Sequence, residues 1–532
     1  MSMIGVSESL LRKPTHPPEK FEKLLRGPVS NADRTEVMKY LRDTERDYRD
    51  GQVEINKYKA MILMLESKRE GMKKAMEKYR TLLSPVHRLP SELLSKIFGY
   101  CCKYNFLDLA MPPASSLSMV CGRWREIALL SPSLWSSIYI LGLPTSDEED
   151  EEGVDEEEER MKRDCITNRV RLCLERSKSA PLKLDITIYS SHYSSEGCSL
   201  SNTVMRLLAE HSERWEEFSY KGPECYASSA ADRTHFPILR SLRLLTGPAQ
   251  SGSHDQDPSL PLDRFRNCPA LTSVYTDTVE TEDRLQLPWA SIRVLGLCDC
   301  SDASVLTILP SCLTLEELTL SEVYDTVNQT SPQRMIVSDT IRTLSIFAPY
   351  DDSVPNIQHF TFPRLSSINI SHPATSPIHL QQLIQRSSCS ITSLSLDGLR
   401  LTDSQLTSLL RLMPELRTLE IGICEGYPIA RSRFLDHLTA NPNDGHHLFL
   451  LHLTELKIEF AGEEVDEQSL TNALTSRLVP FASSPMGVDC LQSVEIWFWW
   501  DFTIPSEAFS SLQFLRDIGL QLTISHRIFN GW

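Results

Sequence analysis

Several absences narrow what this chain can do. No apolar run reaches eighteen residues, so no membrane-spanning helix is expected. The opening stretch, MSMIGVSESLLRKPTHPPEK, lacks a basic start followed by an apolar core, so no secretory signal is expected. There is no phosphate loop, no H-E-x-x-H, no G-x-S-x-G and no dinucleotide fingerprint. With no catalytic constellation and no cofactor motif, the expectation is a protein that is not an enzyme. His446 and His447 adjoin in "DGHHLFLLHL", but nothing nearby supplies a nucleophile or a metal set, and a loop or strand-edge role is expected for them. The 14 cysteines form no C-x-x-C pair and have no matching His pair, so no metal site is expected. They read as reduced, mostly buried thiols of an intracellular chain, cytoplasmic or nuclear. No basic stripe is present either, which argues against nucleic acid as the main partner.

What is present begins with size. The 532 residues allow two to four domains, and 41% hydrophobic with 23% charged residues fits a soluble globular chain. The formal net charge is −17, and eleven acidic residues lie within Asp147–Glu159 alone. That run, assigned to an acidic linker over 144–160, is expected to be solvated and self-repelling, with an acidic docking tail as the other reading.

Residues 1–33 hold several prolines and no periodicity, and disorder is expected there. Over 35–83 a heptad pattern appears. Leu41, Tyr48, Ile55, Ile62, Met76 and Leu83 fall on one series, interrupted by Arg69. Tyr58, Leu65, Met72 and Tyr79 fall three residues after its members. Thr44 and Gly51 weaken the first half. This is a long helix that either self-associates as a coiled coil or folds back on its own chain.

Residues 85–138 hold two amphipathic stretches. Leu93, Leu94, Ile97 and Phe98 make an apolar stripe in "HRLPSELLSKIF". Leu117, Val120, Cys121, Trp124, Ile127 and Ala128 recur at helical spacing, and Ser131-Pro132 ends that helix before a Leu134-Trp135 plug. Pro112-Pro113 rules out one continuous helix through the connection. After the acidic run a helix is expected near 161–176, then an alternating strand in "PLKLDITIY".

Beyond residue 200 one pattern recurs: apolar, two residues, apolar, one residue, apolar. Examples are Trp215-Phe218-Tyr220, Leu315-Leu318-Leu320, Ile391-Leu394-Leu396 and Leu491-Val494-Ile496. A degenerate copy, Leu271 and Val274, ends in Thr276. Central members at 295, 318, 344, 368, 394 and 419 are 23 to 26 residues apart, and two later spacings stretch to 37 and 38. This period with L-x-x-L-x-L is similar to leucine-rich repeats, in which each strand–helix unit buries its core only against its neighbours. The Asn or Cys that usually ties the turn is not reliably present. The fold class is therefore α/β: a long N-terminal helix, a small all-α module, then an irregular solenoid with a parallel curved sheet over 161–532.

Taken as a set, Leu89-Pro90, Glu92-Leu93-Leu94, Ile97-Phe98, Val120-Cys121, Arg123-Trp124, Ile127-Ala128 and Leu134-Trp135 resemble the F-box. With the heptad helix and the repeats, the chain resembles a large group of fungal F-box proteins. The resemblance implies docking on the Skp adaptor of an SCF-type cullin-RING ubiquitin ligase, with the repeats holding a substrate protein. Carried over, Leu89, Pro90, Leu93, Leu94, Ile97, Phe98, Val120 and Trp124 would contact the adaptor, while Trp124 and Ile127 could equally serve the module's own core. In the repeats, residues alternating with the inward pair face the concave side. Glu420, Lys457, Glu459, Glu495 and Trp497 are the candidate substrate contacts there. The cluster "IWFWW" (496–500) could alternatively cap the last repeat. The other reading of the whole chain is a non-ligase scaffold that self-associates through 35–83.

Overall fold

The computed structural model describes residues 19–144, 156–189, 199–222, 235–245, 262, 265–277, 287–323, 335–347, 357–371, 377–422, 432–439, 449–461, 467–478, 489–499, 510–517 and 519–527. Residues 1–18, most of the acidic run and the His446-His447 pair lie outside them. The chain divides into two compact units, Met1–Leu94 and Ser95–Trp532.

The first unit is helical. A short helix, α1 (Glu19–Leu24), falls inside the stretch expected to lack periodic structure. It precedes α2 (Asn31–Leu82), a 52-residue helix. The Ser30 side chain accepts from the Asp33 amide at 3.2 Å, satisfying one of the donors that a helix N-terminus leaves open. Phe21 of α1 meets Tyr40 of α2 edge to face, with ring centroids 5.0 Å apart. No residue of α2 is buried. The heptad positions Leu41, Tyr48, Ile55, Ile62, Leu65, Met72, Met76 and Tyr79 are all exposed. The division between the units falls within α3 (Ser91–Cys101).

The second unit continues from α3 into α4 (Pro113–Val120) and α5 (Gly122–Leu130). The single helix expected through 117–128 is thus two. Cys121 is fully extended (φ −158°, ψ 171°), and the chain restarts as a helix at Gly122. A 3-10 turn at Pro132–Leu134 follows, and the Trp135 indole donates to the Ala128 carbonyl at 2.8 Å, closing the end of α5.

The chain then enters a 14-stranded parallel sheet. Its strands are β1 (Ser137–Pro144), β2 (Leu182–Tyr189), β3 (Trp215–Lys221), β4 (Ser241–Leu245), β5 (Ser273–Thr276), β6 (Val294–Cys298) and β7 (Glu317–Ser321). It continues through β9 (Thr343–Phe347), β11 (Ser367–Ser371), β12 (Ser393–Asp397), β13 (Thr418–Ile421), β14 (Glu455–Ala461), β15 (Ser493–Trp499) and β16 (Gln521–Arg527). The short strands β8 (Ile336–Val337) and β10 (Phe360–Thr361) pair separately. Every neighbour in the large sheet follows the last in sequence, which is the topology of stacked repeats. The sheet starts at Ser137, ahead of the acidic run rather than after it. That run begins after β1, and its last four residues, Glu156 to Glu159, already open α6 (Glu156–Ser177), so it falls inside the first strand-to-strand crossover.

Register explains the motif. Leu242, Val274, Leu295, Leu318, Leu344, Ile368, Leu394, Leu419, Leu456 and Val494 align across ten strands, and all are buried. Thr276 aligns with Leu244 and Leu297 and is fully buried, so the degenerate copy keeps its place in the core. Helices such as Pro377–Ser387 and Asp403–Leu410 bury one face, the second opened by a capping box between Thr402 and Gln405.

The missing Asn ladder has a backbone substitute. In nine copies the residue after the first apolar position of the motif lends its carbonyl to two successive amides at the start of the next strand. Arg240, Thr272, Arg293, Glu316, Arg342, Ser366, Thr392, Arg417 and Thr454 all do so, at 2.8–3.2 Å. Several of the hydroxyls at these positions reach back as well, as Thr392 Oγ1 does to the Ser366 carbonyl at 3.2 Å.

Arg477 ties the irregular C-terminal repeats together. It is 3% exposed and donates to the carbonyls of Leu438 (2.6 Å), Leu450 (2.7 Å) and Phe449. Burial lowers its pKa to about 10, so it stays charged at neutral pH. Arg477→Met keeps the volume but leaves these carbonyls without their donor. It is expected to cost about 3 kcal/mol of stability, read by urea denaturation of the full chain.

Candidate functional site

Two surfaces carry the candidate residues. The first lies on the short helices. On α3 the residues at 94, 98 and 102 recur at i+4 and are buried: Leu94 1% exposed, Phe98 0% and Cys102 3%. Leu93 and Ile97, about 100° round the helix, are 46% and 45% exposed. Of the four apolar residues expected at the adaptor face, Leu93 and Ile97 are open on this chain and Leu94 and Phe98 are not. Leu94 and Phe98 face inward because adjacent helical positions cannot share one stripe. Leu89 is half-buried and extended (φ −69°, ψ 133°), Pro90 is exposed, and the Pro90 carbonyl accepts the Leu94 amide at 3.1 Å to open α3.

Among the residues from Ser95 onward, Trp124 is half-buried, with its ring 4.8 Å from that of Phe98. It therefore serves the core at least as much as the surface. Val120 is exposed, as are Met119 and Leu130, which sequence reasoning missed. Their signal was available: Met119 precedes Val120 on α4, and Leu130 ends α5 in the pair Leu129-Leu130 with no polar alternation to hide it.

These helices join the sheet directly. Phe106 bridges Tyr139 of β1, with the Leu107 amide on the Tyr139 carbonyl at 2.8 Å and the Tyr139 amide on the Asn105 carbonyl at 3.3 Å. The connection between α3 and α4 thus lies along the first edge of the sheet. Arg169 of α6 clamps it by donating to the carbonyls of Leu107 (2.7 Å), Leu109 (2.6 Å) and Ala110 (2.8 Å). The Arg176 guanidinium sits 4.4 Å over the Trp135 ring.

The second surface is the face of the sheet carrying the alternate residues. One row runs in register through Asp185, Ser219, Arg243, Tyr275, Gly296 and Thr319. It continues through Ser345, Asn369, Ser395, Glu420, Lys457 and Glu495. Gly296 is required where it stands, because an added Cβ would meet the Tyr275 ring at 2.0 Å. Arg243 lies 4.5 Å over the same ring. In the middle strands the row is small and polar, as in the contact from Asn369 Nδ2 to Ser345 Oγ at 3.2 Å.

The five residues singled out from the sequence come together at the last strands. Lys457 is ion-paired with Glu420, whose other oxygen accepts from Ser395 Oγ at 3.2 Å. Glu495 is Lys457's register partner on β15 and accepts from the Trp497 indole at 3.4 Å. Glu459 pairs with Trp497 in register and is buried. Trp497 is half-buried and Phe498 is wholly inside; Trp500 lies outside the described residues.

No group of three His, Cys, Asp or Glu among the described residues is placed to hold a metal. Burial pushes the thiols of Cys173, Cys268, Cys300 and Cys312 up to about 12, the reverse of what a nucleophile needs. No helix of the described residues is long and apolar enough to cross a membrane.

Against known families, residues 86–141 match the F-box-like model. The chain carries an F-box-like domain made of α3, α4, α5, the Trp135 plug and the start of β1. The match does not extend to the heptad helix or the repeats, and no curated protein matches the chain.

The two stripes of α3 should separate in stability. Phe98→Ala is expected to cost about 3–5 kcal/mol. Ile97→Asp should cost less than about 1 kcal/mol, both read by thermal denaturation of the full chain.

Proposed function

We propose that this chain is the substrate-receptor subunit of an SCF-type cullin-RING ubiquitin ligase, acting in the cytoplasm or nucleus. The observation that carries the reading is the F-box-like match over a segment whose α3 leaves Leu93 and Ile97 open to solvent. Apolar side chains left outward on a short helix gain about 1.5–3 kcal/mol each when a partner covers them, before ordering costs. In this reading Leu93, Ile97 and Val120 anchor the Skp adaptor, and Pro90 sets the start of the docking helix. The repeats are leucine-rich units of irregular length. The row ending in Glu420, Lys457, Glu495 and Trp497 holds the substrate protein. The ligase chemistry belongs to other subunits, so the chain itself is not an enzyme.

A second reading, a scaffold without a ligase role, draws on the exposed heptad series of α2. The two separate by co-purification. The full chain is expected to bring down a Skp adaptor, and Leu93→Asp with Ile97→Asp should lose it without loss of fold. Failure of the wild type to bind, or equal binding by the double variant, favours the scaffold. Affinity purification with the proteasome inhibited should also show a set of proteins that Glu495→Lys with Trp497→Ala releases while the adaptor stays bound.

A further inference from the structure

We propose that α2 pairs with α2 of a second copy of this chain, and that the two run antiparallel. The structure leaves the helix without cover. Its 52 residues extend about 78 Å at 1.5 Å per residue, and none is buried. A helix in water gains most of its stability from an apolar face packed on something else. Both apolar series lie exposed from Leu41 onward, with only Tyr58 half-covered. The contact between Phe21 and Tyr40 occupies the start of α2 and stops where the heptads begin. What remains open is a two-series seam, the surface that a second helix of the same kind fits.

Charge selects the orientation. The charged positions flanking the seam are Glu45, Asp47 and Glu54 toward the start, Lys59 and Glu66 about the middle, and Lys68, Lys73 and Arg80 toward the end. A parallel, in-register pair would set Lys68 against Lys73 and leave Glu45, Asp47 and Arg80 facing uncharged residues, with Glu54 and Lys59 its one complementary flanking pair. It would also place Arg69 on Arg69 and Gly51 on Gly51 within the seam. An antiparallel pair about a centre near Leu63 sets Glu45 against Arg80 and Lys59 against Glu66, and brings Glu54 beside Lys68. It brings Ile55, Ile62, Leu65 and Met72 into the central layers and faces Arg69 with a residue of the other series. The same heptads that look weak as a parallel zipper are self-complementary head to tail. This inference rests on α2 alone and stands whether or not the chain serves a ligase.

Sedimentation equilibrium of the full chain tests it. A dimer that weakens as salt rises is expected, because the pairing is between opposite charges. Lys68→Glu with Lys73→Glu and Arg80→Glu should raise the dissociation constant at least about tenfold. Adding Glu45→Lys, Asp47→Lys and Glu54→Lys should bring it back to within about threefold. A parallel dimer would ignore the first triple change, because positions 68 and 73 stay like-charged, and that result overturns the proposal. So does a chain that stays monomeric at all concentrations. A photo-reactive phenylalanine in place of Tyr79 gives an independent reading. Cross-links mapping to residues 41–51 of the partner support the arrangement, and cross-links mapping near residue 79 overturn it.

Discussion

The large sheet depends on one recurring hydrogen bond: a single backbone carbonyl, placed just after the first apolar residue of most motif copies, shared by two amides at the start of the next strand. Nine consecutive strand boundaries use it. It fixes where each strand begins, and because side chains alternate along a strand, it fixes which residues turn inward. A slip of one residue would carry Leu318, Leu344 or Leu394 to solvent. The apolar rows supply the stabilisation and the shared carbonyl supplies the alignment. Repeats of uneven length stack because the alignment belongs to the backbone and does not rely on a particular turn residue.

That device also shows why the fold was largely legible from the chain. The strand positions from Trp215 to Ile496 follow from spacing alone, since an apolar residue at the first, fourth and sixth places satisfies only a strand with a turn before it. The alternate residues then fall into one row without further information. Two strands of the large sheet escaped because they lack the full motif. In β1, "SIYILGLP" reads as a continuation of the helical module, and in β16, "LQLTISHR" follows a helix with no leading apolar residue in register. The acidic run also misled by its prominence. A charge block looks like a domain boundary, but here it interrupts a crossover within one sheet.

The interaction surfaces were legible in part. Periodicity identified the α3 stripe but merged its two faces, because Leu93-Leu94 and Ile97-Phe98 are adjacent pairs that a helix must divide. Only burial tells which member of each pair faces out. At the far end of the sheet, the charges of Glu420, Lys457 and Glu495 could be placed by register. The pairing of Lys457 with Glu420, and the burial of Glu459 on the same face, depend on side-chain packing that no spacing rule contains.

The bridge between Phe106 and Tyr139 has a thermodynamic side. A parallel sheet has a free rim of backbone donors and acceptors at its first strand, and such rims recruit other chains. Here the residues between α3 and α4 occupy it, held by Arg169. The helices and the solenoid therefore share a boundary that neither can leave without baring β1. A ligand that clasps those helices raises the melting temperature of the whole sheet by mass action. A fragment trimmed to start at Ser137 would expose a naked template for aggregation instead of an independent domain.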